Sequence, residues 1–149
     1  MSTTATALLS THLFATAGMV GLIWFVQVVH YPLFARVGAD GFTAYETEHQ
    51  RRTSWVVGPL MAVEGVSALV VTATLRDEVG LLLPLLGLFL LLVIHASTVL
   101  LQVPAHGRLG SEADTAVMHR LVATNWIRTI GWSARGAVAV AMLLVALPS

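Results

Sequence analysis

The sequence contains no cysteine and no lysine. The first absence excludes disulfides, thiolate metal sites and cysteine nucleophiles. The second leaves eight arginines as the whole basic complement against eight acids, and it reads first as a genomic composition bias. The formal net charge is zero and there is no basic run, so a nucleic-acid partner is excluded. Charge is scarce altogether, at 11% of residues, whereas 56% are hydrophobic and the mean hydropathy is +0.81. A soluble domain of 149 residues cannot bury so much apolar surface, because a large share of it must still face water. Lipid lifts that restriction, since acyl tails accept apolar side chains on the outside of a bundle. A positively charged leader is missing too. MSTTATALLSTHLF runs straight into an apolar stretch longer than a signal-peptide core, which makes it the expected first span.

What is present is four stretches long enough to cross a bilayer, which takes about 20 mostly apolar residues. They are expected at about 7–31, 54–75, 80–102 and 120–147, in an all-α, integral membrane four-helix bundle forming a single domain. Pro32 and Pro104 should close the first and third spans, and Gly58-Pro59 should kink the second. Pro84 falls in a first turn, where a missing N–H costs least. A short amphipathic helix at about 42–52, capped by Asp40 after a Gly38–Gly41 turn, should lead toward the second span. Arg76-Asp77-Glu78 reads as a tight turn. The Ser111–Asp114 segment is a capping-box pattern that starts the last helix near Glu112. Loops one and three hold Arg36, Arg51, Arg52, Arg108 and Arg120, while the second loop holds Arg76 alone. The positive-inside rule then puts both loops in the cytoplasm and both termini outside, in a bacterial cytoplasmic membrane.

Charge inside a span is expensive, by about 2.5–3.5 kcal/mol per residue on insertion scales, and usually marks function or a buried pair. From a rise of 1.5 Å per residue, Glu64 falls near the midplane and Arg135 roughly 2 Å beyond it. His95 and Arg128 lie roughly 6–8 Å toward the cytoplasm, and Gln27, Asn125, His30 and Gln102 about 12–16 Å. Asn125, Arg128, Trp132 and Arg135 share one face of the last span. His12, Thr16, Gln27 and His30 share a face of the first, and His95, Thr98 and Gln102 one of the third. Such stripes must point inward, because lipid offers no partner. Glu64 paired with Arg128 or Arg135 would brace the bundle, with Asn, Gln and Thr as interhelical glue. One acid against two arginines also leaves positive charge to receive a carboxylate, phenolate or semiquinone. Among the histidines, His30 and His49 are the metal candidates, joined by a mouth-side His106 or His119, although no spacing such as HExxH supports a site. The depths of His30 and His95 differ by roughly 9 Å, which argues against a bis-histidine haem between them. A single His95 or His12 ligand to a tetrapyrrole stays open. His12 near the outer surface reads as solvated or helix-packing.

The segments VVHYPLFARVG (Val28 to Gly38), YETEHQRR (Tyr45 to Arg52) and RLVATNWIRTIGWSARG (Arg120 to Gly136) resemble an uncharacterised family of small bacterial four-helix membrane proteins. More distantly, a first-span end followed by a late N-x-x-R-T is similar to the anthrone-oxygenase-like membrane family. There the matching positions would be Asn125, Arg128 and Thr129, with His30 or Pro32 at the first-span end. That resemblance implies cofactor-poor oxidation of a polyketide anthrone. Three function classes follow. One is a membrane-embedded oxidoreductase or oxygenase holding a lipophilic aromatic or quinone-like molecule between the helices. Its expected catalytic groups are Arg128, His30, Glu64 and His95, and its substrate contacts Arg135, Asn125, Gln27 and Trp132. The others are a small oligomeric permease in which Glu64 titrates at mid-membrane, and an accessory subunit of a membrane complex. The partners implied are the lipid bilayer, a lipophilic small molecule, and either copies of the chain or a membrane complex. No cofactor is specified by the residues.

Overall fold

The computed structural model describes residues 2–147, and within them the chain is four long helices with no strand. Helix α1 runs Thr3–Phe34, α2 Ala39–Thr74, α4 Leu82–Leu109 and α5 Thr115–Ala146, each long and apolar enough to cross a membrane. A single-turn helix α3, Arg76–Val79, joins α2 to α4, and Gly80 ends it at φ +68°, a left-handed conformation that favours glycine. Short connections make the long helices alternate in direction. They form a ring in which α1 packs between α2 and α5, and α4 packs between α5 and α2. The seam between α2 and α4 is the loosest of the four.

The helices contain the expected spans to within two residues, but their ends differ. Neither Pro32 nor Pro104 stops its helix. Each is preceded by one wide π turn, Val26–His30 in α1 and Thr98–Gln102 in α4. In these turns Tyr31 N–H bonds to the Val26 carbonyl and Val103 N–H to the Thr98 carbonyl, five residues back. A proline ring clashes with the carbonyl four residues upstream in a regular helix, and the extra residue in the turn carries the chain past it. The amphipathic segment at 42–52 is not separate: it is the first part of α2. Gly38 occupies the N-cap position, so Asp40 sits in the first turn and not at the cap. Pro59 lies within the same unbroken helix. The last helix begins at Thr115, because Asp114 and not Ser111 is the cap, its Oδ1 accepting from Ala116 N–H at 2.8 Å and Val117 N–H at 3.1 Å. The expected turn at Arg76–Glu78 is the helical turn α3.

The surface is apolar where a soluble protein would be polar. Phe14, Trp55, Leu82, Leu92, Leu100 and Leu144 all face outward, while Glu64, Arg135, Asn125 and Gln27 are buried. Lipid is the solvent that suits this inversion. Inside, two apolar cores lie at either end, one around Met19, Ile23, Phe34, Ile94 and Trp132, the other around Leu9, Val71, Val79 and Met142. Backbones approach closely where glycine allows it. A Cβ on Gly131 would lie 2.7 Å from Ile94 Cγ1 across the α4–α5 seam.

Candidate functional site

Most of the expected site residues fall into three polar groups, while Gln102 lies in a further set, accepting from Ser97 Oγ at 3.1 Å and donating to Thr124 Oγ1 at 3.2 Å at the edge of the cavity described below. Near mid-bundle, Glu64 of α2 is fully buried. Its Oε1 accepts from Arg135 Nε at 2.8 Å and its Oε2 from Trp132 Nε1 at 3.0 Å. Arg135 Nη1 donates to the Gly87 carbonyl, which ties α4 into the same knot. Of the two arginines on the α5 stripe, Arg135 is therefore the partner of Glu64. Next to this knot, His12 of α1 meets Ser67 Oγ at 2.9 Å, and the Ser67 hydroxyl donates to the Glu64 backbone carbonyl at 3.1 Å. His12 is thus a helix-packing histidine and not a solvated one.

The second group joins α1 to α5. Gln27 Oε1 accepts from Asn125 Nδ2 at 2.9 Å and Thr129 Oγ1 at 3.3 Å, while its Nε2 donates to the Val122 carbonyl at 3.2 Å. Gln27 and Asn125 hold two helices together at this position. His95 belongs to neither group. Its Nδ1 lies 2.8 Å from the Leu91 carbonyl, so that nitrogen carries the proton, and the ring lines neither cavity described below.

The third group gathers at the end of the bundle that carries the loops after α1 and α4. It is built by the two π turns and the start of α2. The turn in α1 delivers His30 and Tyr31, and the turn in α4 is followed by His106. Glu46 and His49 stand three residues apart on one face of α2. His30 Nε2 lies 2.8 Å from His49 Nδ1, which also meets Thr53 Oγ1 at 3.1 Å. Tyr31 Oη lies 2.8 Å from His106 Nε2, and His106 Nδ1 lies 2.6 Å from Glu46 Oε1. A carboxylate only accepts, so His106 Nδ1 is the protonated nitrogen and its Nε2 accepts from the Tyr31 hydroxyl. Gln50 fixes the arrangement, donating to Glu46 Oε1 at 3.1 Å and to the His106 carbonyl at 3.0 Å. Glu46 is fully buried and its Oε2 has no partner among the described residues. Phe34, also fully buried, floors the cluster with its ring 5.1 Å from His30 and 5.2 Å from His49.

A cavity of about 330 Å³ opens from this cluster into the loose α2–α4 seam. Val57, Met61, Thr98 and Val103 make its walls, and Tyr31, His49, His106 and Arg128 its inner end. Its volume is at the lower end of the range of small-molecule sites. Arg128 is buried beside the Tyr31 hydroxyl, its guanidinium 5.3 Å from the Trp132 ring, and its Nε has no partner among the described residues. A second cavity of about 240 Å³ lies between α1 and α2, lined by Leu22, Phe25, Val26, His30, Arg52 and Val56. His49 and Thr53 border both cavities. Any ion held here would take Glu46, His49 and His106, whose donor atoms all lie within 4.8 Å of one another.

Of the residues expected at the site, the structure brings Arg128, His30 and His49 to this end. It places Glu64, Arg135 and Trp132 in the mid-bundle knot, and Gln27 and Asn125 in the α1–α5 clasp. The mouth-side partner is His106, since His119 is exposed on α5. Glu46 and Tyr31 were not expected. Glu46-x-x-His49 is a spacing that bundle metal sites use, and it was the available signal for the first. Nothing in the sequence marks Tyr31. No protein-family model, curated protein or solved structure matches the chain.

Proposed function

We propose that this protein is a membrane-embedded oxidoreductase that takes a lipophilic, weakly acidic aromatic molecule of the phenol, hydroquinone or anthrone class into the α2–α4 cavity. The observation that carries the reading is Arg128, a buried guanidinium whose Nε has no partner among the described residues, at the inner end of the cavity beside Tyr31, His49 and His106. A buried donor without a partner costs about 1–3 kcal/mol, and an aromatic oxyanion would satisfy it with a charge-assisted bond. Beside it stands the relay Tyr31–His106–Glu46, which has a hydroxyl at the cavity, an imidazole to accept its proton and a carboxylate to orient the imidazole. Ionising the bound substrate raises its electron density and prepares it for oxidation by dioxygen. For an anthrone, the ring CH2 becomes C=O with one oxygen atom of O2, and the two hydrogens leave with the other as water. The distant resemblance in the first-span end and the Asn125-x-x-Arg128-Thr129 segment points the same way. In this reading the protein lies in a bacterial cytoplasmic membrane with the cavity toward the cytoplasm, and a lipophilic substrate enters sideways between α2 and α4.

The test is binding in mild detergent, followed by quenching of tryptophan fluorescence, since Trp132 lies against Arg128. Wild-type protein should bind a naphthol, hydroquinone or anthrone, and should consume dioxygen with at least one of them. Arg128→Ala should weaken binding by roughly 10- to 100-fold, the value of one hydrogen bond to a charged group, with the protein still monodisperse. Arg128→Lys should recover part of the loss. Equal binding by wild type and Arg128→Ala, or no binding across the panel, would sink the reading.

A further inference from the structure

We propose that Glu46, His49 and His106 form a binding site for one divalent first-row transition-metal ion, with its open coordination positions facing the α2–α4 cavity. The inference deepens the proposed function by naming a cofactor for the same site, and it rests on that reading only for what the open positions would meet.

The donor set comes first. Two imidazoles and one carboxylate are the ligands that suit iron(II) with positions left open to substrate and oxygen. Zinc sites that are purely structural close all four positions with protein atoms. Here His49 and His106 line the α2–α4 cavity with Glu46 buried beside them, so three protein donors leave further positions open toward that cavity. Their donor atoms lie within 4.8 Å of one another, whereas ligands about 2.1 Å from a common ion stand roughly 3–3.5 Å apart. Modest ring rotations close that gap.

Burial is the second, independent observation. Glu46 is fully buried, and its Oε2 has no hydrogen-bond partner among the described residues. A carboxylate with one oxygen on His106 and the other on nothing is an expensive thing to keep inside a protein. A cation supplies what that oxygen lacks. The outer contacts are those that ligands need. His49 uses only Nδ1, toward His30 and Thr53, so its Nε2 is unengaged among the described residues. His106 faces Tyr31 with Nε2 and Glu46 with Nδ1, so Nδ1 can take an ion once its proton moves to Nε2. Gln50 clamps Glu46 to the His106 backbone and spans the two helices that supply the ligands. Binding should therefore move the His106 proton from Nδ1 to Nε2, which then donates to the Tyr31 hydroxyl oxygen.

The experiment uses the full chain purified without a histidine tag, chelator-treated, and titrated with Co(II) as a spectroscopic stand-in. Wild-type protein should take up one equivalent, develop a visible ligand-field band and gain thermal stability by mass action. Glu46→Gln and His106→Gln should each abolish the band. Glu46 is buried, so His49→Gln, at the edge of both cavities, provides a variant less prone to misfold, and it too should lose the band while eluting as wild type. His30→Gln should weaken uptake by about 10- to 100-fold, as loss of a partner of a metal-bound histidine does. His119→Ala should bind as wild type. A wild type that stays colourless overturns the site, as does stoichiometric binding that survives both Glu46→Gln and His49→Gln. The two readings fail separately. Aromatic ligand bound without any metal effect removes the metal site alone, and Co(II) bound normally by Arg128→Ala alongside wild type with no aromatic binding removes the proposed function alone.

Discussion

Glu64 and Arg135 meet where water is scarcest, and the pair is completed by Trp132 and the Gly87 carbonyl. Two buried opposite charges attract strongly but lose their hydration, so the whole pair contributes little net stability while each half depends on the other. Glu64→Ala should therefore cost about 3–5 kcal/mol, the penalty for leaving one buried charge alone. The double replacement Glu64→Met with Arg135→Met should recover most of that loss. Unfolding in mixed micelles, followed by far-UV circular dichroism, measures both. A double variant no more stable than the single one would show that the pair supplies something other than mutual neutralisation. The stripe on α5 was legible as inward-facing, because polar side chains at i, i+3 and i+7 have nowhere else to go. Which arginine would find Glu64 was not legible. Arg128 and Arg135 lie on one face, and the choice between them depends on how α2 and α5 are shifted along each other, which periodicity does not encode. The same limit hid Tyr31, whose role comes from a hydroxyl reaching His106 across 75 residues of chain.

At the scale of the element, two π turns decide where the site residues point. A regular helix ending at Pro32 would leave His30 and Tyr31 at a frayed terminus. The wide turn Val26–His30 instead rotates the following residues and carries α1 on to Phe34. The second turn does the same for His106 in α4. Proline signalled a boundary in both places, and the signal was sound as far as local sterics go. It missed that one extra residue per turn removes the clash, and no residue pattern announces that insertion. Glycine makes the complementary contribution. Gly131→Ala should destabilise the bundle by about 1–3 kcal/mol, since its Cβ would press on Ile94 in the tight α4–α5 seam. Gly65→Ala, on α2 with nothing within 4 Å, should leave stability unchanged or raise it by up to about 1 kcal/mol through helix propensity. Thermal melts of the two variants in one detergent check the contrast. Equal losses would mean that the helices do not approach as closely at Gly131 as the structure has them.

Across the whole molecule, the outer face is apolar on every long helix and the polar residues are internal, an arrangement that composition alone predicted. What composition could not indicate is the unequal closure of the ring. The α2–α4 seam is the loosest and opens onto one cavity, and a second lies between α1 and α2, so one end of the bundle is both the polar end and the accessible one. Arginine is distributed along the same axis. Arg36, Arg51, Arg52, Arg108 and Arg120 lie at the end with the histidine cluster and Arg76 at the other, and under the positive-inside rule that bias supports the proposal that the cavity faces the cytoplasm. The absence of cysteine makes that orientation directly measurable, because any introduced thiol is unique in the chain. Thr4→Cys and Asp77→Cys, both at exposed positions, should react with a membrane-impermeant maleimide in intact cells. Ala39→Cys and Ser111→Cys, equally exposed, should react only after the membrane is opened. The reverse pattern would place the cavity on the outer side, where a substrate would arrive from outside the cell. Labelling of all four in intact cells would mean that the chain inserts in both orientations, because a bias of a few arginines is a weak term with which to set the direction of so small a bundle.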